Sequence, residues 1–239
     1  MKELSVSLII PAHNEEGRIG KCLQAVFDNA PHKFLEIIVV DNASTDRTSE
    51  IASSFPGVKV IYEGTKGVMH ARDRGWRECR GDLVAFLDAD CKLRSSWYDR
   101  VIKRFTDEPN LALLSGPYLY YDVSKSRRKI AALGFVLVSI LGKLVGYVAL
   151  FGNMVMRRSI LEQMSGLDTT IAFYGDDTDT ARRAKAFGKV AWDRKLIVDS
   201  SGRRFEKQGI IKTCSLYMLN FFSEVFLHRP LTKKYVTIK

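Results

Sequence analysis

The residues best suited to chemistry in this 239-residue chain are two aspartates, Asp88 and Asp90, which close the stretch Leu83-Val-Ala-Phe-Leu-Asp-Ala-Asp90. Five apolar residues in a row suit a strand buried on both faces, as in a parallel sheet. Strand alternation would send both carboxylates to one side, with the small Ala89 between them. In open α/β sheets, ligands sit beyond the carboxyl ends of the strands, where this pair would emerge. Two close carboxylates repel unless something positive lies between them. A hard divalent cation, Mg2+ or Mn2+, that also carries substrate phosphates is the natural occupant, because it uses one or two carboxylates and leaves its other positions to phosphate and water. The ordinary alternative is a solvated loop after a buried strand.

Two more stretches carry reactive side chains. Asp176-Asp-Thr-Asp179 opens a helix pattern, and the helix dipole favours carboxylates there, which is explanation enough for Asp176 and Asp179. Further on, Arg203, Arg204 and Lys207 crowd one loop. Arginine pairs well with phosphate oxygens, so these could close over a diphosphate; a solvated basic loop is the alternative.

The elements that must position these groups read as an α/β chain. Ser5–Ile10, Glu36–Val40, Val58–Tyr62 and the stretch from Leu83 are strand signals. Between them lie helix patterns: Ile19, Leu23, Val26 and Phe27 on one face, a helix capped from Asn42–Asp46 and ending near Ser54, and Val68, Ala71, Gly75 and Cys79 on another. A fourth carries Trp97, Val101 and Phe105 at i, i+4 steps. Strands alternating with helices of this length predict βαβ units and a parallel sheet. Polar residues then gather at three strand ends: Pro11 to Glu16, Asp41, and Asp88 with Asp90. Several such ends at one sheet edge suit a nucleotide site with its metal. The dinucleotide fingerprint G-x-G-x-x-G is missing after the first strand.

Val6-Ser-Leu-Ile-Ile-Pro-Ala-His-Asn-Glu-Glu16, Glu36-Ile-Ile-Val-Val-Asp-Asn-Ala-Ser-Thr-Asp-Arg-Thr48 and Gly81-Asp-Leu-Val-Ala-Phe-Leu-Asp-Ala-Asp90, in that order, resemble a family-2 glycosyltransferase of GT-A fold over roughly residues 5–205. The resemblance implies a mostly parallel mixed sheet flanked by helices. It implies that Pro11, Ala12, His13, Glu15 and Asp41 hold base and ribose, that Asp88 lies near ribose and metal, and that Asp90 binds the metal through the donor diphosphate. Arg72 matches an arginine near the nucleotide, although Asp73 stands where the family has asparagine. Gly152 and Asn153 match an acceptor-side segment. Asp176 and Asp177 match a Glu-Asp motif whose second residue is the general base of inverting members. A sugar hydroxyl is a poor nucleophile, and a carboxylate within hydrogen-bond reach can take its proton. The Gln-x-x-Arg-Trp signature of processive members is missing, which favours transfer of one sugar.

Composition adds a partner. Residues 1–120 carry a net charge of −1 and residues 121–239 carry +11, so the second half either faces something anionic or is simply a basic surface. Ile130 to Phe151 is the most apolar segment, preceded by Arg127-Arg128-Lys129. A single crossing there would put Asp88/Asp90 and the 176–179 cluster on opposite sides of a bilayer. A buried helix, or helices lying in a membrane interface, is the expectation. Ile210 to Leu227 reads as an amphipathic helix, followed by a basic tail. The four cysteines show neither metal spacing nor a disulfide framework, and Val6–Ile10 is too short for a signal peptide.

The expected organisation is a GT-A domain over 1–209, with a nucleotide-sugar half (1–120) and an acceptor half (121–209), then an amphipathic helix and tail over 210–239. The resemblance implies an inverting transferase with an acceptor hydroxyl and a UDP-sugar as the expected donor; the basic, apolar second half suggests an acceptor carried by a lipid. The transferase would work in the cytoplasm at the inner face of an anionic membrane, without nucleic acid. Two rivals stand beside it: a polyprenyl-phosphate glycosyltransferase with a GDP- or UDP-sugar donor, and a non-catalytic basic membrane-binding module with a degenerate nucleotide site.

Overall fold

A computed structural model of the chain describes residues 3–171, 175–227 and 231–232. In chain order its elements begin with β1 (Val6–Ala12), α1 (Ile19–Asn29), β2 (Glu36–Asp41), α2 (Thr48–Ser53), β3 (Val58–Tyr62), α3 (Val68–Arg77) and β4 (Leu83–Leu87). There follow β5 (Cys91–Lys92), α4 (Trp97–Asp107), β6 (Leu111–Ser115), β7 (Tyr118–Tyr120), α5 (Lys125–Val145), β8 (Asn153–Arg157) and α6 (Arg158–Gln163). Last come α7 (Asp176–Lys185), β9 (Lys189–Trp192), β10 (Val198–Ser200), α8 (Arg203–Gln208) and α9 (Ile210–Leu227).

Seven strands form one sheet in the order β3-β2-β1-β4-β8-β6-β9, in which β8 alone runs antiparallel to its neighbours. The period-2 pattern sorts the core into two layers. Leu8 and Ile10 of β1 meet α1 and α4 on one face, through Leu23, Val26, Trp97 and Phe105. Ile9 meets α3 on the other, where Met69 and Trp76 pack with α6 and α7. Because both faces are covered, β4 is buried along its whole length, as its unbroken apolar run requires. The α/β class and the mostly parallel mixed sheet are as expected.

Local differences have local causes. β1 continues past Ile10 through Pro11 to Ala12. Its pairing with β4 stops at Ile9, so beyond that point the β4 side is an edge, where a strand proline is tolerated. Helix α2 starts later than the cap residues suggested, with the Thr48 amide donating to Asp46 Oδ1 at 3.0 Å. Helix α6 begins at Arg158, directly after β8. The apolar stretch 130–151 is not one helix. Gly146, at φ 85°, ends α5 in the left-handed region that glycine adopts freely. Val148, Ala149 and Phe151 then turn back into the core. No helix among the described residues is long and apolar enough to cross a membrane. Phe173, Tyr174 and the basic tail beyond residue 232 lie outside the described residues.

A second sheet has only three short strands, β5-β10-β7. Its register opposes Ser200 to Cys91. That pairing sets the start of α8 beside the end of the Asp88–Asp90 turn.

Candidate active site

Parallel register brings the carboxyl ends of β1 and β2 level, with Ala12 opposite Asp41. The loops beyond them brace each other. His13 donates from Nδ1 to the Asn42 carbonyl at 2.7 Å, and the Glu15 amide donates to Thr48 Oγ1 at 2.8 Å. Asp41 accepts from the Ser44 amide at 3.0 Å and from the Ser49 hydroxyl at 2.6 Å, so its buried carboxylate stiffens its own loop. Pro11 and Ala12 are buried beneath that loop.

Strand β4 ends at Leu87, and the next residues turn, with the Cys91 amide bonded to the Asp88 carbonyl at 2.9 Å. A turn, not strand alternation, therefore aims the two aspartates. Arg72 reaches Asp88 from α3: its Nη2 donates to Asp88 Oδ1 and its Nη1 to Asp176 Oδ2, both at 2.9 Å. The guanidinium is almost wholly buried and stacks on Phe151, 4.1 Å from the ring centroid. Burial alone would weaken its charge, but Asp88 and Asp176 outweigh that and hold its pKa above the ordinary arginine value. Asp73, the departure from the family pattern, faces away. It accepts from Trp76 Nε1 at 2.7 Å and from the Leu167 amide at 3.1 Å.

Arg203 arrives from α8. Its Nη2 lies 3.3 Å from Asp90 Oδ2, and it grips Glu15 with both terminal nitrogens, the Nη1 contact measuring 3.1 Å. Burial pushes the Asp90 carboxyl up to about 7; Arg203 pulls it down, while Asp88 and Glu15 add to the rise. Arg204 sits next in the same helix, half-buried.

The opposite wall comes from β8 and α7. A Cβ on Gly152 would stand 2.4 Å from Asp88 Oδ2 and 2.6 Å from the Tyr118 hydroxyl, so only glycine lets these groups approach. Asn153 needs a correction. Expected to meet an acceptor, it is fully buried, taking a bond from Trp97 Nε1 at 2.8 Å and donating to the Leu196 carbonyl at 2.7 Å. It is a strut under the wall. Asp177, in the first turn of α7, accepts from the Thr178 amide at 2.8 Å. Burial raises the carboxyls of both Asp176 and Asp177; Arg72 opposes the rise, and the charge of Asp177 adds to that of Asp176. Asp179 turns to Arg182 and serves the helix, as its position suggested.

The carboxylates fit a hard divalent cation. Asp88, Asp90 and Glu15 crowd one corner where Arg203, Arg18 and Arg72 are the offsetting charges. Among the described residues no group of three or more His, Cys, Asp or Glu could hold an ion unaided.

The cleft thus assembles Glu15, Arg72, Asp88, Asp90, Asp176, Asp177 and Arg203, while His13, Asp41 and Asn153 support it from behind. Sequence reasoning missed Tyr118 and Phe151. Both are aromatic residues in apolar surroundings, and only the fold sets them against Asp88 and Arg72.

Residues 7–165 match the family model described as Glycosyl transferase family 2. Glycosyltransferase AglE of Haloferax volcanii is 40% identical over 101 residues, which are 40% of this chain and 33% of that protein. The chain spans only 15% to 38% of the length of the curated relatives it matches. A mannosyltransferase from Pyrobaculum calidifontis, solved with GDP-Man and Mn2+, superposes with a TM-score of 0.72 at 20% identity, over 95% of this chain and 64% of that one. Glucosyl-3-phosphoglycerate synthase from Mycobacterium tuberculosis, solved with Mn2+, UDP-Glc and phosphoglyceric acid, gives 0.66 at 20% identity, over 93% and 80%. At such identity these two likenesses speak for the fold, which is that of the GT-A enzymes.

Proposed function

Because this chain belongs to glycosyl transferase family 2, we propose that it moves one sugar, with inversion, from a nucleotide-diphosphate sugar to an acceptor hydroxyl. The observation that carries this reading is the Arg72 bridge. One buried side chain joins Asp88, at the donor end of the cleft, to Asp176, the neighbour of Asp177. Donor and acceptor chemistry therefore lie within one guanidinium's span.

Asp177 takes the proton of the acceptor hydroxyl as its oxygen attacks the anomeric carbon. The new C–O bond forms as the bond to the nucleoside diphosphate breaks on the opposite face, which inverts the centre. Asp176 cannot serve equally, because its carboxylate is tied to Arg72. A divalent cation, held by Asp90 and Asp88 when bound, would supply charge to the departing diphosphate. Arg203 offers two N–H donors at the same corner, and Arg204 follows it. Solved neighbours carry GDP-Man with Mn2+ or UDP-Glc with Mn2+. A nucleotide-sugar donor and a manganese or magnesium ion follow by analogy, and a UDP-sugar is the first donor to try. The basic second half suits an acceptor carried by a lipid.

The test is a thermal-shift panel of nucleoside diphosphates with and without Mn2+, on the wild type and on Asp90→Ala. A ligand that binds only the folded state raises the melting temperature. Stabilisation by one nucleotide that needs the metal and vanishes in Asp90→Ala supports the transferase and identifies the donor's base. No shift with any nucleotide overturns the donor site.

A further inference from the structure

Helix α9 is built the wrong way round for water, and α5 leaves a long apolar stripe exposed. A surface helix normally buries its apolar stripe and exposes its polar one. On α5, Ile130, Leu133, Leu137, Ile140 and Leu144 all point outward, and Leu133 and Leu144 are 71% and 77% exposed. Their spacing keeps them on one stripe, about 21 Å long at 1.5 Å per residue. The residues it buries include Ala131 and Ser139. On α9 the polar side is the buried one. Thr213, Asn220, Ser223 and Glu224 are buried, while Leu219, Phe222, Phe226 and Leu227 are exposed, Phe226 by 74%.

Polar groups inward and hydrocarbon outward is the arrangement of a helix whose solvent is lipid. Neither helix is long and apolar enough to cross a bilayer, so they would lie along its surface. Exposed lysines border the apolar ground: Lys125, Lys129 and Lys143 on α5, and Lys212 on α9. We propose that the outward faces of α5 and α9 form a single docking surface for an anionic lipid bilayer.

A second copy of the chain is the competing occupant, and charge argues against it. Helix α5 carries basic residues at both ends and no acidic residue. Pairing it with its own copy, parallel or antiparallel, sets like charge against like. Anionic headgroups meet no such penalty, and each lysine near them contributes on the order of 1 kcal/mol.

Each helix packs on an element that carries cleft residues. Phe135 of α5 stacks on Tyr120, which packs edge-on against Phe205 of α8, the helix that carries Arg203. Glu224 of α9 faces Arg182 of α7 at 3.8 Å, and α7 begins with Asp176 and Asp177. A headgroup at this surface would therefore lie beside the acceptor wall. The choice of a lipid-linked acceptor rests on the proposed transferase; the docking surface does not, since vesicle binding needs no donor.

The experiment is co-sedimentation of the full chain with phosphatidylcholine vesicles and with vesicles containing one quarter phosphatidylglycerol. Variants are Leu137→Glu with Ile140→Glu, Phe226→Glu, and Lys129→Ala. Melting temperature reports folding, and sedimentation velocity reports oligomeric state. The wild type should bind the anionic vesicles. Each glutamate variant should bind at least about tenfold more weakly, and Lys129→Ala about fivefold, all with unchanged melting temperature. No binding to anionic vesicles overturns the proposal. So does equal binding by folded glutamate variants, or a dimer that those variants dissociate in a protein that ignores vesicles.

Discussion

Arg203 stands 3.3 Å from Asp90 although 113 positions separate them in the chain, and the same guanidinium clasps Glu15. One cation thus offsets two of the three carboxylates at this corner, and its loss has two effects of opposite sign. Arg203→Ala should weaken binding of a nucleoside diphosphate about tenfold, the equivalent of 1.4 kcal/mol. It should tighten binding of Mn2+ alone, because the carboxylates lose their internal counter-charge. Calorimetric titration with each ligand separately reads both signs.

The raised carboxyl of Asp90 gives a pH signature. Its value of about 7 exceeds the ~3.9 of an unfolded aspartate, so between those limits the folded chain holds the extra proton. Without a cation, this group's contribution to stability falls as pH rises through that window. Asp90→Asn should therefore raise the melting temperature of chelator-treated protein at pH 8, by roughly 2–4 °C per kcal/mol relieved, and change it little near pH 4. Mn2+ should stabilise the wild type increasingly from pH 5 to 8, because binding must displace that proton.

Asp177→Asn should lower kcat by about 10²- to 10⁴-fold and leave donor affinity within about twofold, since a general base acts on the acceptor. Burial raises the Asp177 carboxyl, so the acid limb of the rate profile should lie above the ordinary carboxylate range of about 4. Asp176 is the more strongly raised of the two and carries its proton where Asp177 titrates, so Asp176→Asn should leave that limb in place. A kcat–pH profile of both variants checks the assignment. If Asp177→Asn keeps full activity, the acceptor is one that needs no base.

Gly152→Ala tests the wall. The added methyl would sit 2.4 Å from Asp88 Oδ2, so Asp88 must move away from Arg72. Metal-dependent nucleotide binding should fall at least tenfold while the circular dichroism spectrum stays that of the wild type.

Asn153→Ala should act on stability. It leaves the Trp97 indole N–H and the Leu196 carbonyl without their buried partner, at a cost of about 1–3 kcal/mol for each unsatisfied group. A lower urea midpoint at unchanged slope would show it.

Much of this was readable from residue order. Runs such as Ile37–Val40 and Leu83–Leu87 are apolar throughout because both sheet faces are covered, and that pattern survives in one dimension. The Arg203 contact is another matter. It depends on β5, two residues long, pairing with β10, and no periodicity announces so short a strand. Asn153 was assigned by resemblance, and only packing reveals that no polar atom of it reaches the cleft. In α9 the spacing gave the apolar face but could not say which way it looks.

The strand order carries a practical consequence for engineering. β8 is inserted between β4 and β6, both of which precede it in the chain. Leu87 is paired with Asn153 and Leu113 with Met156, so the strand that follows Gly152 is stitched on both sides to earlier ones. A chimera cut near residue 120 would ask two foreign edges to accept one strand. If the proposed transferase holds, new acceptor preferences are better grafted loop by loop, at 146–152 and 164–171, with the seven-stranded frame left whole.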